Sequence, residues 1–294
     1  MGYLIRQMGH VALSTPDPEL SATDLAQIVG PRIIERSKDR LTLSCNSRRL
    51  EVAYLKSSKK AALALGLEAM DVAAVDEVSR RAVAAGCRVL SEKSYFDFIE
   101  KAVRFITPHG PIFEVHTPVP RDQPERYTGP GAHPRRLEHV NVRVEDTKSF
   151  GELCSNVFGM QLSDRTTNDE LMWFRAADGF HHTVAIGRGE PKLHHYGFDA
   201  HSFEGIASVA DALSIRGREL LWGPGRHGAG DNIFSYYTDP NGCVVETSIE
   251  MARIDCDAEY KPRTWSLDSN IRNLWGPNSG PAYAAQGIPF AEEP

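Results

Sequence analysis

The chain has no apolar run approaching the roughly 20 residues needed to span a bilayer, which excludes a membrane-spanning helix. It has no excess of basic residues either. Lys and Arg number 33 against 39 Asp and Glu, a net charge of −6 without a basic stripe, which speaks against nucleic acid or an anionic membrane as partner. The five cysteines (Cys45, Cys87, Cys154, Cys243 and Cys256) are odd in number, scattered, and form no CxxC pair. That pattern fits neither a disulfide framework nor a zinc knuckle, and points to free thiols in a reducing cytoplasm. The first ten residues lack the charged-then-apolar layout of a signal peptide, which agrees with a cytoplasmic location. What remains is 294 residues, 41% hydrophobic and 24% charged, the make-up of a soluble globular protein with room for two domains.

Self-similarity organises the chain. Gly9-His10-Val-Ala-Leu13 resembles Glu138-His139-Val-Asn-Val142, and Leu63-Ala64-Leu-Gly66-Leu67 resembles His194-His195-Tyr-Gly197-Phe198. Ala82–Arg88 matches Leu213–Glu219. The frame P-x-G-x3-E occurs at Pro108–Glu114 and again at Pro240–Glu246. All four matches lie about 130 residues apart, so the spacing predicts a duplicated domain. Each copy reads as a strand with a His and a helix opened by Asp17 or Asp146. Short strands follow, then a second helix (about 70–86 and 203–217) closed by a Gly, and finally two strands joined by a Pro-x-Gly turn. The expected class is α+β, built from β-α-β-β-β units. The expected boundaries are an N-terminal domain 1–117, a Pro/Gly-rich linker 118–134, a second domain 135–250, and a tail 251–294. Trp265 and Trp275 should anchor that tail on the domains or at a subunit contact.

His139, His195 and Glu246 lie in or beside apolar, strand-like runs of the second copy. A single His on a strand is more often a hydrogen-bonded, half-buried residue than a ligand. Three such residues at equivalent module positions make a stronger case. Two imidazoles and a carboxylate hold one face of a divalent iron and leave the other open to substrate and dioxygen. The first copy keeps His10 and Glu114 but carries Ala64 in place of His195, so it is expected to be metal-free.

Over nearly its whole length the chain resembles the type I extradiol catechol dioxygenases of the vicinal-oxygen-chelate superfamily. The most specific segment runs from Gly225-Arg-His227 through Ser235-Tyr236-Tyr-Thr-Asp239-Pro240-Asn-Gly242 to Glu246. It follows the family order of a His, a Tyr, Asp-Pro-x-Gly and the ligand Glu. One departure is Ser235, where an aliphatic residue or Phe is usual before the Tyr, which leaves Tyr237 as an alternative to Tyr236. The doublet His194-His195 is similar to the family's Leu-His-His segment, and His182 looks like its acid–base His, with adjacent His181 as the alternative. The resemblance implies paired βαβββ modules in each domain and a metal site inside the C-terminal domain barrel. It implies His139, His195 and Glu246 as ligands of Fe(II), or of Mn(II), and His182, His227 and Tyr236 as catalytic residues. It further implies a catecholic substrate, dioxygen as co-substrate, a 2-hydroxymuconic semialdehyde-type product, and a homo-oligomer.

Other features carry less. His109, His116, His133 and His201 read as solvent-facing or capping, and Trp173, Phe174 and Phe180 as core, with lining of an aromatic pocket as the alternative. Gly223-Pro-Gly-Arg-His-Gly228 matches GxGxxG but opens no helix, so it reads as a loop over the site rather than a dinucleotide fingerprint. The competing functions are another metalloenzyme of the superfamily, using zinc, nickel or manganese for isomerisation or thiol transfer, and a metal-free module that binds a small aromatic compound.

Overall fold

The structure is a computed structural model describing residues 2–125, 129–267 and 270–292. Part of the expected linker (126–128) and of the tail (268–269 and 293–294) lies outside the described residues. The first copy comprises β1 (Ile5–Thr15), α1 (Pro18–Ile28), β2 (Arg32–Arg36), β3 (Arg40–Ser44) and β4 (Val52–Lys56). A second unit follows with β5 (Ala61–Ala69), α2 (Val72–Ala84), β6 (Arg88–Ser91), β7 (Ala102–Ile106) and β8 (Ile112–His116). The second copy repeats this order with β9 (Arg136–Val144), α3 (Thr147–Asn156), β10 (Gln161–Thr166), β11 (Leu171–Arg175) and β12 (Val184–Arg188). Its second unit is β13 (Lys192–Asp199), α4 (Phe203–Ile215), β14 (Trp222–Arg226), β15 (Ile233–Thr238) and β16 (Val244–Ile249). The tail adds β17 (Arg263–Trp265), α5 (Pro281–Ala285) and β18 (Ile288–Pro289).

Local sequence explains the repeated frame. Asp17, Asp71 and Asp146 each accept a backbone N–H from the first turn of the helix they open, satisfying one otherwise orphaned donor. Gly86 (φ +78°) and Gly217 (φ +66°) follow α2 and α4 in the left-handed conformation that ends a helix at little steric cost. On α2, Ala74, Val75, Val78 and Ala82 form the buried stripe.

The two sheets have one strand order. The first runs β2-β3-β4-β1-β5-β8-β7-β6, and the second runs β10-β11-β12-β9-β13-β16-β15-β14 with β17 added beside β10 and β18 beside β13. Among the described residues the second ladder has ends at β14 and β17, so the barrel is open on one side. Trp173 of β11 and Trp222 of β14, from opposite arms, nevertheless line one cavity, so the sheet curls around it. The tail spans the open side. Arg263–Trp265 pair with Asp164–Thr166 at one edge, while Gly228 N–H donates to Ile271 O and Leu274 N–H to Arg226 O at the other.

The halves share a core. Phe113 of β8 packs on Phe150 and Phe158 of the second copy (ring centroids 6.2 and 4.9 Å), and the Tyr54 and Tyr196 hydroxyls meet at 3.1 Å. Each such ring is worth roughly 2–3 kcal/mol when buried, so parting the halves costs far more than thermal energy. Among the described residues no helix is long and apolar enough to cross a membrane.

Candidate metal centre

Three adjacent strands bring the predicted ligands together. In register, His139 of β9 faces Gly197 of β13, and Gly197 faces Glu246 of β16. Gly197 is needed there, because a Cβ would lie 2.3 Å from the His139 ring. A β-bulge at His194 adds one residue to β13 against β9, which re-aims His195 toward the same cavity. His139 Nε2 lies 2.9 Å and His195 Nε2 3.3 Å from Glu246 Oε2. One donor atom from each residue falls within 4.8 Å of the other two, and all three side chains are buried.

These donors fit a divalent cation. Two imidazole nitrogens converge on one carboxylate oxygen in a buried site, the donor set and spacing that a shared divalent cation accepts. The electrostatics agree. Burial pulls the His139 pKa down, but the charges of Glu246 and Glu138 outweigh it and hold it at about 9, while burial and the neighbouring imidazoles push His195 well below its ordinary value. Supporting contacts fix the rings, as outer partners of metal-binding histidines do. Glu138 Oε2 sits 3.2 Å from His139 Nδ1 and accepts from Ser248 Oγ at 2.6 Å. His194 Nδ1 lies 2.8 Å from His195 Nδ1, and its Nε2 contacts Tyr283 O at 3.0 Å. Asn232 Nδ2 donates to Glu246 Oε1 at 3.1 Å.

Around this trio lies a cleft of about 680 Å³, open mouth included, lined by His182, His227 and Tyr236 among others. His182 packs edge-on against His139 (centroids 4.6 Å apart), and burial holds its pKa well below the ordinary value. Of the His181–His182 pair, only His182 lines the cavity. His181 sits behind it with Nδ1 3.1 Å from His182 Nδ1, and its Nε2 is 3.3 Å from Asp164 Oδ2. Asp164 in turn accepts from Trp265 Nε1, Tyr260 Oη and Arg263 N–H, all in the tail. His227 Nε2 meets Tyr236 Oη at 2.9 Å, and its Nδ1 lies 2.6 Å from Arg272 O. Burial, and then the Glu246 charge, raise the Tyr236 pKa well above its usual value, so it stays a phenol. Tyr236 sits opposite Glu246 in the ladder, and the alternation of strand faces sends Ser235 and Tyr237 to the other side.

Several expectations change. His116 is not solvent-facing: it lies in β8, fully buried, with Nε2 3.2 Å from His10 Nδ1, because the strand runs two residues past Glu114. For Trp173 the alternative holds rather than the favoured core reading: it alternates with buried Met172 and Phe174 on β11 and faces the cavity. The GxGxxG stretch begins as strand β14 rather than a loop. Sequence reasoning missed Arg143, Trp222, Arg272 and Tyr283, all of which line the cleft. For Arg143 a signal existed, since it follows His139 at i+4 on one strand face; for the tail residues none did.

A curled sheet of paired βαβββ units thus carries two imidazoles and one carboxylate on its central strands, grouped closely enough that they could hold one metal ion beside an open cleft. Residues 136–247 match the family model described as the Glyoxalase/Bleomycin resistance protein/Dioxygenase superfamily. "Metapyrocatechase 2" of Cupriavidus necator is 23% identical over 94% of this chain and 90% of its own length. The manganese-dependent 2,3-dihydroxybiphenyl 1,2-dioxygenase of Geobacillus genomosp. 3 is 23% identical over 94% of this chain and 96% of its own. Two solved structures share the fold. Homoprotocatechuate 2,3-dioxygenase from Arthrobacter globiformis has a TM-score of 0.90 at 19% identity, over 99% of this chain and 94% of that one. The Mn(II)-bound glyoxalase from Novosphingobium aromaticivorans has a TM-score of 0.88 at 23% identity, over 99% and 96%.

Proposed function

We propose that the protein is an extradiol dioxygenase, which opens a catechol-type ring beside its diol and inserts both atoms of O2. The observation that carries this reading is the convergence of His139, His195 and Glu246 within 4.8 Å at the floor of a cleft that also holds His182, His227 and Tyr236. His139, His195 and Glu246 would hold an Fe(II), with Mn(II) as the alternative, which would supply Lewis acidity toward the diol and electron density for dioxygen chemistry.

The chain's own residues supply orientation and proton handling. His182 turns Nδ1 toward His181, which leaves Nε2 for the cavity. Held neutral by burial, it takes up a proton as the diol binds and returns it as the ring opens. Tyr236, kept a phenol and paired with His227, donates a hydrogen bond to a substrate oxygen on which negative charge develops. Trp173, Trp222 and Tyr283 wall off water from the ring's faces. The product is of the 2-hydroxymuconic semialdehyde type. A homo-oligomer in a reducing cytoplasm belongs to the same proposal; four of the five free cysteines are buried, and light scattering tests the assembly.

Fe(II)-reconstituted protein should consume one O2 per catechol and form a yellow ring-opened product. No oxygen uptake across a panel of catechols would sink the proposal. The fold likeness to a glyoxalase makes isomerisation the competing reading. It needs no dioxygen, and a site with a single ligand carboxylate beside His182, His227 and Tyr236 favours ring cleavage.

A further inference from the structure

Along β9, His139, Asn141 and Arg143 alternate with buried Val140, Val142 and Val144, and all three polar residues line the cleft. Arg143 is the unusual member. Its Nε is sealed from solvent without an acceptor, and no carboxylate among the described residues pairs with it. Arg143 as a whole is half-buried, a guanidinium cannot escape its charge by losing a proton, and a partly desolvated charge without a partner is costly. The fold nevertheless makes room for it. Gly187 faces Arg143 across the β12–β9 ladder, and a Cβ there would lie 2.1 Å from the guanidinium. The cleft's lining contains one carboxylate, Glu246, which the proposed metal claims, whereas Arg272 adds further positive charge at the mouth.

We infer that Arg143 is a specificity residue that receives a carboxylate carried by the substrate, at the end of the ring away from the diol. This rests on the ring-cleavage reading. Four residues of strand set Arg143 on the order of 13 Å from His139, Cα to Cα. That interval takes a metal-bound catechol ring with a short acidic side arm. Leu171, Trp173 and Ala185 line the same cleft and bring no second charge to compete with the guanidinium. A planar carboxylate suits the two parallel N–H donors of an arginine fork.

The test uses 3,4-dihydroxyphenyl carboxylates with zero, one or two methylenes in the side arm, each beside its primary amide. In iron-loaded wild type, one tether length should show kcat/KM about 10- to 100-fold above its amide, the range of a charge-assisted hydrogen bond. Arg143→Gln should abolish that preference while changing amide turnover less than threefold. Arg143→Lys, which keeps the charge but loses the fork, should retain part of it and carries the comparison if the Gln variant fails to fold. Binding of the matching phenyl carboxylates without hydroxyls, read from Trp fluorescence of iron-loaded protein without oxygen, should show the same discrimination. An unchanged carboxylate preference in both variants overturns the inference and leaves ring cleavage standing. No turnover of any catechol, together with carboxylate binding that Arg143→Gln abolishes, overturns ring cleavage and leaves the anion site standing.

Discussion

The two halves build the same cradle and fill it differently. In the first, His10 faces Gly66 and Gly66 faces Glu114, the register that joins His139, Gly197 and Glu246 in the second. The bulges recur too, at Gly9 and Leu63 in one half and at Glu138 and His194 in the other. Even the clearance is shared, since a Cβ on Gly66 would lie 2.2 Å from the His10 ring. The divergence lies in side chains. Opposite Glu114 stands Arg104, at 3.6 Å, where Tyr236 stands opposite Glu246. Phe96 packs edge-on against His10, and Ala64 replaces the third ligand. The first half thus gives its carboxylate a permanent cation and fills the space with an aromatic ring. The second leaves its carboxylate beside two imidazoles and keeps the space open. A backbone competent to present ligands does not by itself make a metal site.

Four experiments break or sharpen this contrast, in order of expected effect. Glu246→Ala should remove the metal and lower turnover by about a thousandfold or more, read by metal analysis and oxygen uptake. If metal content stays at the wild-type level, the second half is not the metal-binding one. His182→Asn should lower turnover by about 10²–10⁴-fold with metal content unchanged, because it removes a proton carrier and no ligand. Equal loss of metal and turnover would move His182 into the ligand set.

The third concerns the matching turns, where Thr107 stands in the first half and Asp239 in the second. Burial raises the Asp239 pKa from 3.8 to about 7, and its Oδ2 has no partner. The folded state therefore favours the protonated acid. That contribution is fully present below about pH 4 and is lost as pH rises through 7. Asp239→Asn should accordingly gain up to a few kcal/mol over wild type at pH 8 in urea unfolding, a gain that vanishes by pH 4. A gain independent of pH would place the ionisation elsewhere. The smallest change belongs to Ala64→His. It should leave one metal per chain, because Arg104 and Phe96 still occupy the first cradle; two metals per chain would show that the missing ligand alone silenced it.

Much of this contrast is legible in the sequence. A His, a Gly, a Pro-x-Gly turn and a Glu recurring about 130 residues apart mark the cradle, and Ala64 marks its failure. The bulges leave no trace, because one extra residue in a strand reads as ordinary apolar chain. Trp173 was ambiguous for a related reason: in Leu-Met-Trp-Phe-Arg every residue but the last is apolar, so period-2 alternation cannot tell cavity from core. Tyr283 and Arg272 were beyond reach, since they enter the cleft from a tail without periodicity and only its hydrogen bonds to the sheet edges place them.

That tail gives assembly of the cleft a direction in time. The ligands end at Glu246, yet Ile271, Arg272, Ser279, Tyr283 and Ala284 supply part of the wall. Beyond them, β18 joins β13, and Ala291 N–H donates to Ala62 O in the first half at 2.9 Å. Synthesis runs from the N-terminus, so a nascent chain holds all three ligands before it holds the wall that encloses them. The cleft closes last, when residues 288–291 pair with β13 and with Ala62.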